Sequence, residues 1–531
     1  MKKIISQLVC LLAIISLSSC TDSAGPSKSG FSIKLTLSVL GPTSATVVAT
    51  PSDSETEYRF YVVPKADYKS SVIPEDAETV IGQYKLTSTG LDPEVDYYAV
   101  AALSSGYSAI LEFNTSSAVG SLDPAGHPED FNIISIPMKQ SRSAKRGVYG
   151  SMGASLDPAL LGKGVSWNVD GTHAYPASAQ SLIAGGVTFY PMVATAELSK
   201  SDLTDIKKNF PSAYWVFGYN EPNNSSSAEM TPSGAAASWP ELRTFTKSLG
   251  MSLTSPSLID GTASGKDDPV EWLDEFIACD GVGSGAFDAV ALHCYKPTAE
   301  QMREMLRRFD KYGKPLFVTE FCHFTLTITN DAEKQLAFMS DALNLLESDS
   351  AVGGYSWYMT RAEGNWAAIS LLNDDPKKPA LTDLGKLYVN FSSFDKNCRY
   401  VPGEPIPAAH YAANNLSGTT TGWSEVFKVR PCTDAFGNLM VVCDTPQAWM
   451  EYQVEVSSDG TYALAARYTS ELLGGKMTLT VDGGDQQLVE FEKTPSWQCR
   501  WIEDIALSKG RHTIRLTLKS GRVDLNWLYL D

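Results

Sequence analysis

The sequence is short of positive charge: 43 lysines and arginines stand against 61 aspartates and glutamates, a formal net charge of −18 over 531 residues. Such a surface repels phosphate backbones and anionic bilayers, so nucleic acid is excluded as a partner and a neutral or cationic ligand is favoured. No Cys-x-x-Cys pair is present, which removes the common structural zinc sites, and the nine cysteines are too scattered for a dense disulfide framework. Neither a metal nor a cofactor is expected. Beyond the first twenty residues no apolar run is long enough to cross a bilayer. With 43% hydrophobic and 20% charged residues, the composition is otherwise that of ordinary globular protein.

What is present begins with Lys2 and Lys3, an apolar run from Ile4 to Ile15, and Leu17-Ser18-Ser19-Cys20. A charged start, a run shorter than roughly 20 residues and a small-residue end read as an export signal over 1–20. The last four residues resemble the bacterial lipobox. That resemblance implies acylation of Cys20 and an exported outer-membrane lipoprotein, facing the cell surface or the periplasm and held to the membrane by lipid alone. Residues 21–30 (TDSAGPSKSG) are a flexible tether. Seven cysteines then remain, an odd number, so at least one is unpaired.

From Phe31 to Ser117 apolar residues alternate, as in Phe31, Ile33, Leu35, Leu37 and Val39 and again in Tyr58, Phe60 and Val62, which is strand periodicity. Gly90-Leu-Asp-Pro-Glu-Val-Asp-Tyr97 resembles the tyrosine corner of fibronectin type III domains, so 31–117 is expected to be a small β-sandwich, a spacer rather than a glycan-binding module. Residues 118–144 form a linker. Over 145–396 the texture changes to eight short apolar runs separated by helical patterns: Arg146–Gly150, Val165–Asn168, Gly186–Met192, Tyr214–Tyr219, Ser252–Pro256, Asp288–His293, Pro315–Glu320 and Gly353–Trp357. Met302, Met305, Leu306 and Phe309 follow helical spacing behind Thr298 and Gln301, and Leu336, Met339, Leu343 and Leu346 do so behind Asn330 and Glu333; both pairs have capping-box spacing. Eight β-α alternations in about 250 residues predict a central (β/α)8 TIM-type barrel whose first helix is brief. After a short linker, 397–404, strand patterns return over 405–531. The expected fold is therefore multidomain, a barrel flanked by two all-β sandwiches.

Barrel chemistry sits at the C-terminal ends of strands. One carboxyl ends run four, in Gly218-Tyr-Asn220-Glu221-Pro222, and another ends run seven, in Val318-Thr-Glu320. Runs four and seven lie across an eight-stranded mouth, so Glu221 and Glu320 can face one another over a cleft. This pattern resembles the clan A glycoside hydrolases. Gly164-Val-Ser-Trp167-Asn168, Tyr190-Pro-Met192, Ser255-Pro256, Val290-Ala-Leu-His293-Cys-Tyr295 and Gly354-Tyr-Ser-Trp357-Tyr358 narrow the resemblance to glycoside hydrolase family 128, over about 145–395.

The resemblance implies a retaining endo-β-1,3-glucanase with a β-glucan polysaccharide or oligosaccharide as partner, Glu221 as acid/base, Glu320 as nucleophile and Asn220 binding the sugar 2-hydroxyl. Alternatives are a non-catalytic surface glycan-binding lipoprotein on the same scaffold, or a clan relative acting on mannan or xylan. Asn168 is a further substrate-binding candidate. His293 and Tyr295, two apart on one strand face, would orient Glu320 or contact sugar; for His293 a structural role stands beside this. Trp167, Tyr190 and Trp357 are candidate stacking platforms, the alternative being barrel packing. Cys294 should face away from the cleft, as a core thiol or bonded to Cys322. Residues 405–531 resemble carbohydrate-binding module family 6 through Trp449–Val456, Trp497, Gly510-Arg-His512 and Leu525-Asn526-Trp527. That implies a sugar cleft at Trp497 and Asn526, while Pro407 and Ala409 stand where the glutamates of that family's calcium site belong. The protein is expected to be a monomer. In fractionated cells, Cys20→Ala should abolish membrane association of exported protein; exported variant that still sediments with membranes would reject the lipid anchor.

Overall fold

The alternating apolar residues of the first segment do form strands in the computed structural model, which describes residues 31–40, 44–89, 91–92, 95–115, 139–227, 229–260, 267–417, 424–434, 439–471 and 474–531. The export signal with Cys20, the tether and residues 118–138 of the expected linker lie outside them. The chain divides into two compact units, Met1–Pro137 and Met138–Asp531.

In the first unit β1 (Ile33–Leu40), β2 (Ser44–Pro51) and β5 (Tyr84–Thr89) form one antiparallel sheet. The second sheet, ordered β4-β3-β6-β7, comprises β3 (Glu57–Pro64), β4 (Glu78–Ile81), β6 (Asp96–Ala102) and β7 (Ser108–Asn114). Period-two burial turns Ile33 and Leu35 of one sheet toward Tyr58, Phe60 and Ala99 of the other, giving a shared apolar core. The Tyr97 hydroxyl accepts the Asp92 N–H at 2.9 Å, and its ring stacks on Phe113.

The second unit opens with parallel strands and helices in alternation: β8 (Arg146–Tyr149), α1 (Asp157–Leu161), β9 (Trp167–Val169), α2 (Ala179–Ala184), β10 (Thr188–Phe189), α3 (Lys200–Asn209), β11 (Trp215–Val216), α4 (Pro232–Ser248) and β12 (Ser252–Leu253). There follow β13 (Leu258–Ile259), α5 (Pro269–Ala278), β14 (Val290–His293), α6 (Ala299–Arg307), β15 (Leu316–Phe321), α7 (Ala332–Ser348), β16 (Val352–Tyr358) and α8 (Asp383–Asn390). Each of the eight apolar runs overlaps one of these strands, three of which extend a residue beyond their run, and α1 is brief at five residues. β13 was not foreseen; it resumes the fifth run beyond Pro256 and pairs with β14. Parallel pairings run from β8 through β9 to β10, across the Met192–Phe217 bridge to β11 and β12, across the Thr254–Ala289 bridge to β14, and through β15 and β16 back to β8.

The space enclosed by these strands is filled by Trp167, Met192, Phe217 and Phe317. Gly147 makes room for the largest of them, since a Cβ there would sit 2.3 Å from the Trp167 ring. Helix starts follow local capping chemistry: the Thr298 hydroxyl accepts the Gln301 N–H ahead of α6. Ahead of α7 the cap is one residue later than the spacing suggested. Asp331 accepts the Lys334 N–H, while Asn330 accepts the Ala368 N–H at 3.1 Å.

The remainder is antiparallel. It contains β17 (Pro405–Pro407), β18 (Ala413–Asn414), β19 (Lys428–Pro431), β20 (Leu439–Cys443), β21 (Trp449–Val456), β22 (Gly460–Ser470), β23 (Gly475–Val481), β24 (Gln486–Phe491), β25 (Thr494–Leu507), β26 (Gly510–Gly521) and β27 (Val523–Leu530). Two sheets, β19-β20-β27-β22-β25 with β17 on β27, and β18-β21-β26-β23-β24, form a sandwich. It shares one continuous core with the β/α domain. Arg146 lies near that junction, fully buried and paired with Glu347 at 2.7 Å, and donates to the carbonyls of Tyr388, Phe391 and Ser392. Asn344 of α7 accepts from both the Tyr411 hydroxyl at 2.6 Å and the Asn414 amide at 2.8 Å.

Candidate active site

Glu320 is the fifth residue of β15 and Glu221 follows the extension of β11, so both stand at the C-terminal ends of parallel strands. Gly218 permits that extension, because a Cβ there would lie 2.6 Å from the Ser255 carbonyl oxygen. Glu221 itself has φ +43°, in the left-handed region, a conformation costing a side-chain-bearing residue about 1–3 kcal/mol. Contacts around the turn hold it there: the Glu221 N–H donates to Ser257 at 2.9 Å, and the Asn223 amide grips Ile259 through its N–H at 3.1 Å and its carbonyl at 2.8 Å.

His293, the last residue of β14, brings the two carboxyls together. Its Nδ1 lies 2.9 Å from Glu221 Oε1 and 3.5 Å from Glu320 Oε2. The Asn224 amide donates to Glu221 Oε2 at 2.6 Å, and the Tyr295 hydroxyl donates to Glu320 Oε2. One donor atom from each of Glu221, His293 and Glu320 lies within 4.8 Å of the others, and among the described residues this is the one group of three able to ligate a metal. Its carboxylate oxygens already accept from Asn224 and Tyr295.

Burial raises the Glu320 carboxyl above its ordinary range, against the downward pull of His293 and of the Tyr295 hydroxyl, and the neighbouring Glu221 adds to the rise. Around it stands a group of tyrosines. Burial and the Glu320 charge push Tyr358 up to about 12 and hold Tyr149 and Tyr295 higher still, so all three remain neutral phenols.

The carboxyls open into a cleft of about 540 Å³ that Asn220, Tyr149, Tyr358, Asp260, Lys296 and Trp366 help to line. Trp366 is 43% exposed, and Leu326, 98% exposed, stands between the cleft-lining Thr325 and Thr327. The Asn220 amide reaches only Ser227, at 3.4 Å, and its Oδ1 has no protein partner.

Of the sequence candidates, Glu221, Glu320, Asn220, His293 and Tyr295 come together. Four do not reach the cleft. Trp167 is fully buried, its Nε1–H donated to the Lys145 carbonyl at the N-terminal end of the strands, and Tyr190 stacks on it at 5.4 Å. Trp357 points outward to Phe321, Phe338 and Tyr388 and donates to the Ile369 carbonyl at 2.8 Å, so it has no free face for a sugar. Asn168 is buried and donates to the Val148 and Gly150 carbonyls, pinning β8 to β9. Of the aromatic residues that line the cleft, Tyr295 was a candidate, while Tyr149, Phe324, Tyr358 and Trp366 were missed. Tyr358 was detectable, because it neighbours Trp357 and a strand turns successive side chains to opposite faces. Asn223 and Asn224, directly after Pro222, were missed as well. Cys294 and Cys322 are buried thiols.

Residues 159–388 match the family described as glycosyl hydrolase catalytic core. The β/α domain is the catalytic core of a glycoside hydrolase. The hydrolase chain is similar to a family 128 (subgroup II) endo-β-1,3-glucanase from Pseudomonas viridiflava, 32% identical, with 47% of this chain and 98% of that one covered and a TM-score of 0.43. It is similar also to one from Sorangium cellulosum, 28% identical, covering 46% and 97%, with a TM-score of 0.41. A curated relative, the clotting factor G alpha subunit of Tachypleus tridentatus, is 26% identical over 111 residues, 20% of this chain; the chain spans 16% of that relative's length.

Residues 424–530 of the hydrolase match carbohydrate-binding module family 35, rather than the family 6 that the motifs suggested. Within that module Trp497 donates to Thr433 at 3.3 Å and Asn526 to Asp434 at 3.0 Å, so both candidates converge on one short segment.

The pH dependence of kcat/KM should expose the Tyr295 contact. A raised carboxyl ionises only at higher pH, and Tyr295→Phe removes one of the two interactions holding Glu320 down, so the acid limb is expected to move to higher pH. A limb that stayed in place or moved lower would show that this bond does not govern Glu320.

Proposed function

We propose that the chain is a retaining endo-β-1,3-glucanase acting by double displacement. The observation that carries the reaction type is the pair Glu221 and Glu320 at opposed strand ends, with donor oxygens within 4.8 Å of one another. That is the spacing class of retaining enzymes, whose carboxyls lie about 5–5.5 Å apart, whereas inverting enzymes leave room for a water between them.

In the first step a Glu320 oxygen bonds to the anomeric carbon as the glycosidic C–O bond breaks and the Glu221 proton passes to the leaving oxygen. In the second, Glu221 takes a proton from water while that water's oxygen replaces Glu320 at the anomeric carbon, restoring both groups. Tyr295 orients Glu320, His293 and Asn224 position Glu221, and Asn220 meets the 2-hydroxyl of the sugar at the cleavage point. Trp366 at the rim offers an apolar face to a pyranose ring.

The β-1,3 linkage is supported by the family 128 motifs of strands two to eight and by the 32% identity to a chain named for that activity. The scaffold is read as a (β/α)8 TIM-type barrel, supported by pairings that return to β8. The first unit is read as a fibronectin type III-like spacer, supported by the Tyr97 corner, and the C-terminal module as a glucan-holding domain working through Trp497 and Asn526. A monomeric lipoprotein anchored at Cys20 completes the reading.

Proton NMR of the first products formed from laminari-oligosaccharides, run beside mannan and xylan, tests this proposal. An initial β-anomer is expected, and Glu221→Gln and Glu320→Gln should each lower turnover by at least about 10²–10⁴-fold with the fold intact. An initial α-anomer, or cleavage of mannan or xylan alone, would refute it.

The rim platform is tested separately. Trp366→Ala should raise KM about tenfold or more while kcat stays within about threefold, since the contact is made equally in ground and transition states. An unchanged KM would remove Trp366 from the binding surface.

A further inference from the structure

Part of the cleft wall is ionic. Asp260 directly follows β13 and Lys296 lies just beyond β14; the Lys296 ammonium and an Asp260 carboxylate oxygen form a close ion pair, and both residues line the cleft. Only 10% of the Asp260 side chain and 16% of the Lys296 side chain remain exposed. A pair so little hydrated is a weak device for stability, because desolvation offsets most of the attraction. It is a strong device for reading hydroxyls. An ammonium carries three donors and spends one on its partner, while a carboxylate accepts from several directions, so a sugar hydroxyl can be met by donor and acceptor at once, in charge-assisted bonds.

The position of the pair says which sugar it meets. Asp260 is the residue after Ile259, the point gripped by Asn223 in the turn that holds Glu221. Glu320 accepts from Tyr295, and Tyr149 and Tyr358 feel its charge more strongly than that of Glu221. In the proposed reaction, on which this step rests, the leaving oxygen lies at Glu221 and the anomeric carbon over Glu320. We infer that Asp260 and Lys296 form the hydroxyl-reading element of the leaving-group subsite, selecting a neutral sugar with adjacent free hydroxyls as the unit released.

The full-length protein is assayed on a laminari-oligosaccharide and on an aryl β-laminarioside, whose leaving group is a phenol without sugar hydroxyls. The readout is the ratio of the two kcat/KM values. Asp260→Asn and Lys296→Met should each lower that ratio, oligosaccharide over aryl substrate, by about 10- to 100-fold, the range of one lost bond to a charged group. A purely structural role would depress both substrates alike and leave the ratio unchanged, which would overturn the inference, as would wild-type behaviour on both. Failure of the underlying reading looks different: the wild-type protein would then cleave neither substrate.

Discussion

Two carboxyls and an imidazole confined within 4.8 Å cannot titrate independently. Each carboxylate raises the cost of ionising the other, and burial of Glu320 adds to that cost. The imidazole between them and the two outer donors, Asn224 and Tyr295, offset it. The backbone is arranged around this requirement. β14 must end at His293 and β15 must carry Glu320 beside it in register, while the turn after β11 must deliver Glu221 from the other side. In the proposed reaction the constraint also drives the change of roles: attachment of Glu320 to sugar removes its charge, so Glu221 loses the neighbour that favoured its protonated form.

Holding three strands in that register calls for a packed scaffold, and the packing extends beyond the β/α domain. Arg146 on β8 is bound by Glu347 from α7, and Glu347 also accepts from the Tyr355 hydroxyl of β16 and the Ser143 hydroxyl at 2.9 Å. Removing either member of such a pair leaves a buried charge uncompensated, at a cost of about 3–5 kcal/mol. On the same helix α7, Asn344 and Ser340 bond to the sandwich through Tyr411, Asn414 and the Val429 N–H. The C-terminal module is thus packed against the helix layer behind β15 and β16, with a core continuous with that of the hydrolase domain.

The strands were legible because a buried parallel strand must be an uninterrupted apolar run, and eight such runs stand between helical patterns. The carboxyls were legible because they end two of those runs. Of the cleft-lining aromatics Tyr295 was legible and the others were not, for a reason of parity and reach. Trp167 faces inward but lies at the N-terminal end of the strands, below the cleft, whereas Trp357 turns away from it: Trp357 enters the helix layer and its neighbour Tyr358 the cleft. Trp366 sits in a short 3-10 helix after β16, Gly364–Ile369, too brief for a periodicity to indicate direction. The α7 cap was displaced by one residue for a similar reason, since Asn330 and Asp331 can both cap and only the Ala368 N–H decides between them.

The two carboxyls are anchored in different ways, and the difference matches what each is proposed to do. Glu320 lies within a strand paired on both sides, its carbonyl accepting the Cys294 N–H at 2.9 Å, with a register shift beside it toward each neighbour. A nucleophile needs that rigidity, because it must meet one carbon along one line and an ångström of error is costly in rate. Glu221 sits in a strained turn just beyond the last parallel bridge, Asn220 to Ser257, fixed by its own N–H on Ser257 and by the Asn223 clamp. An acid that must later act as a base meets two different oxygens, first the leaving group and then water, at slightly different positions. A turn at the end of the pairing can accommodate that small difference, where the middle of a β-ladder would transmit it to every neighbouring strand.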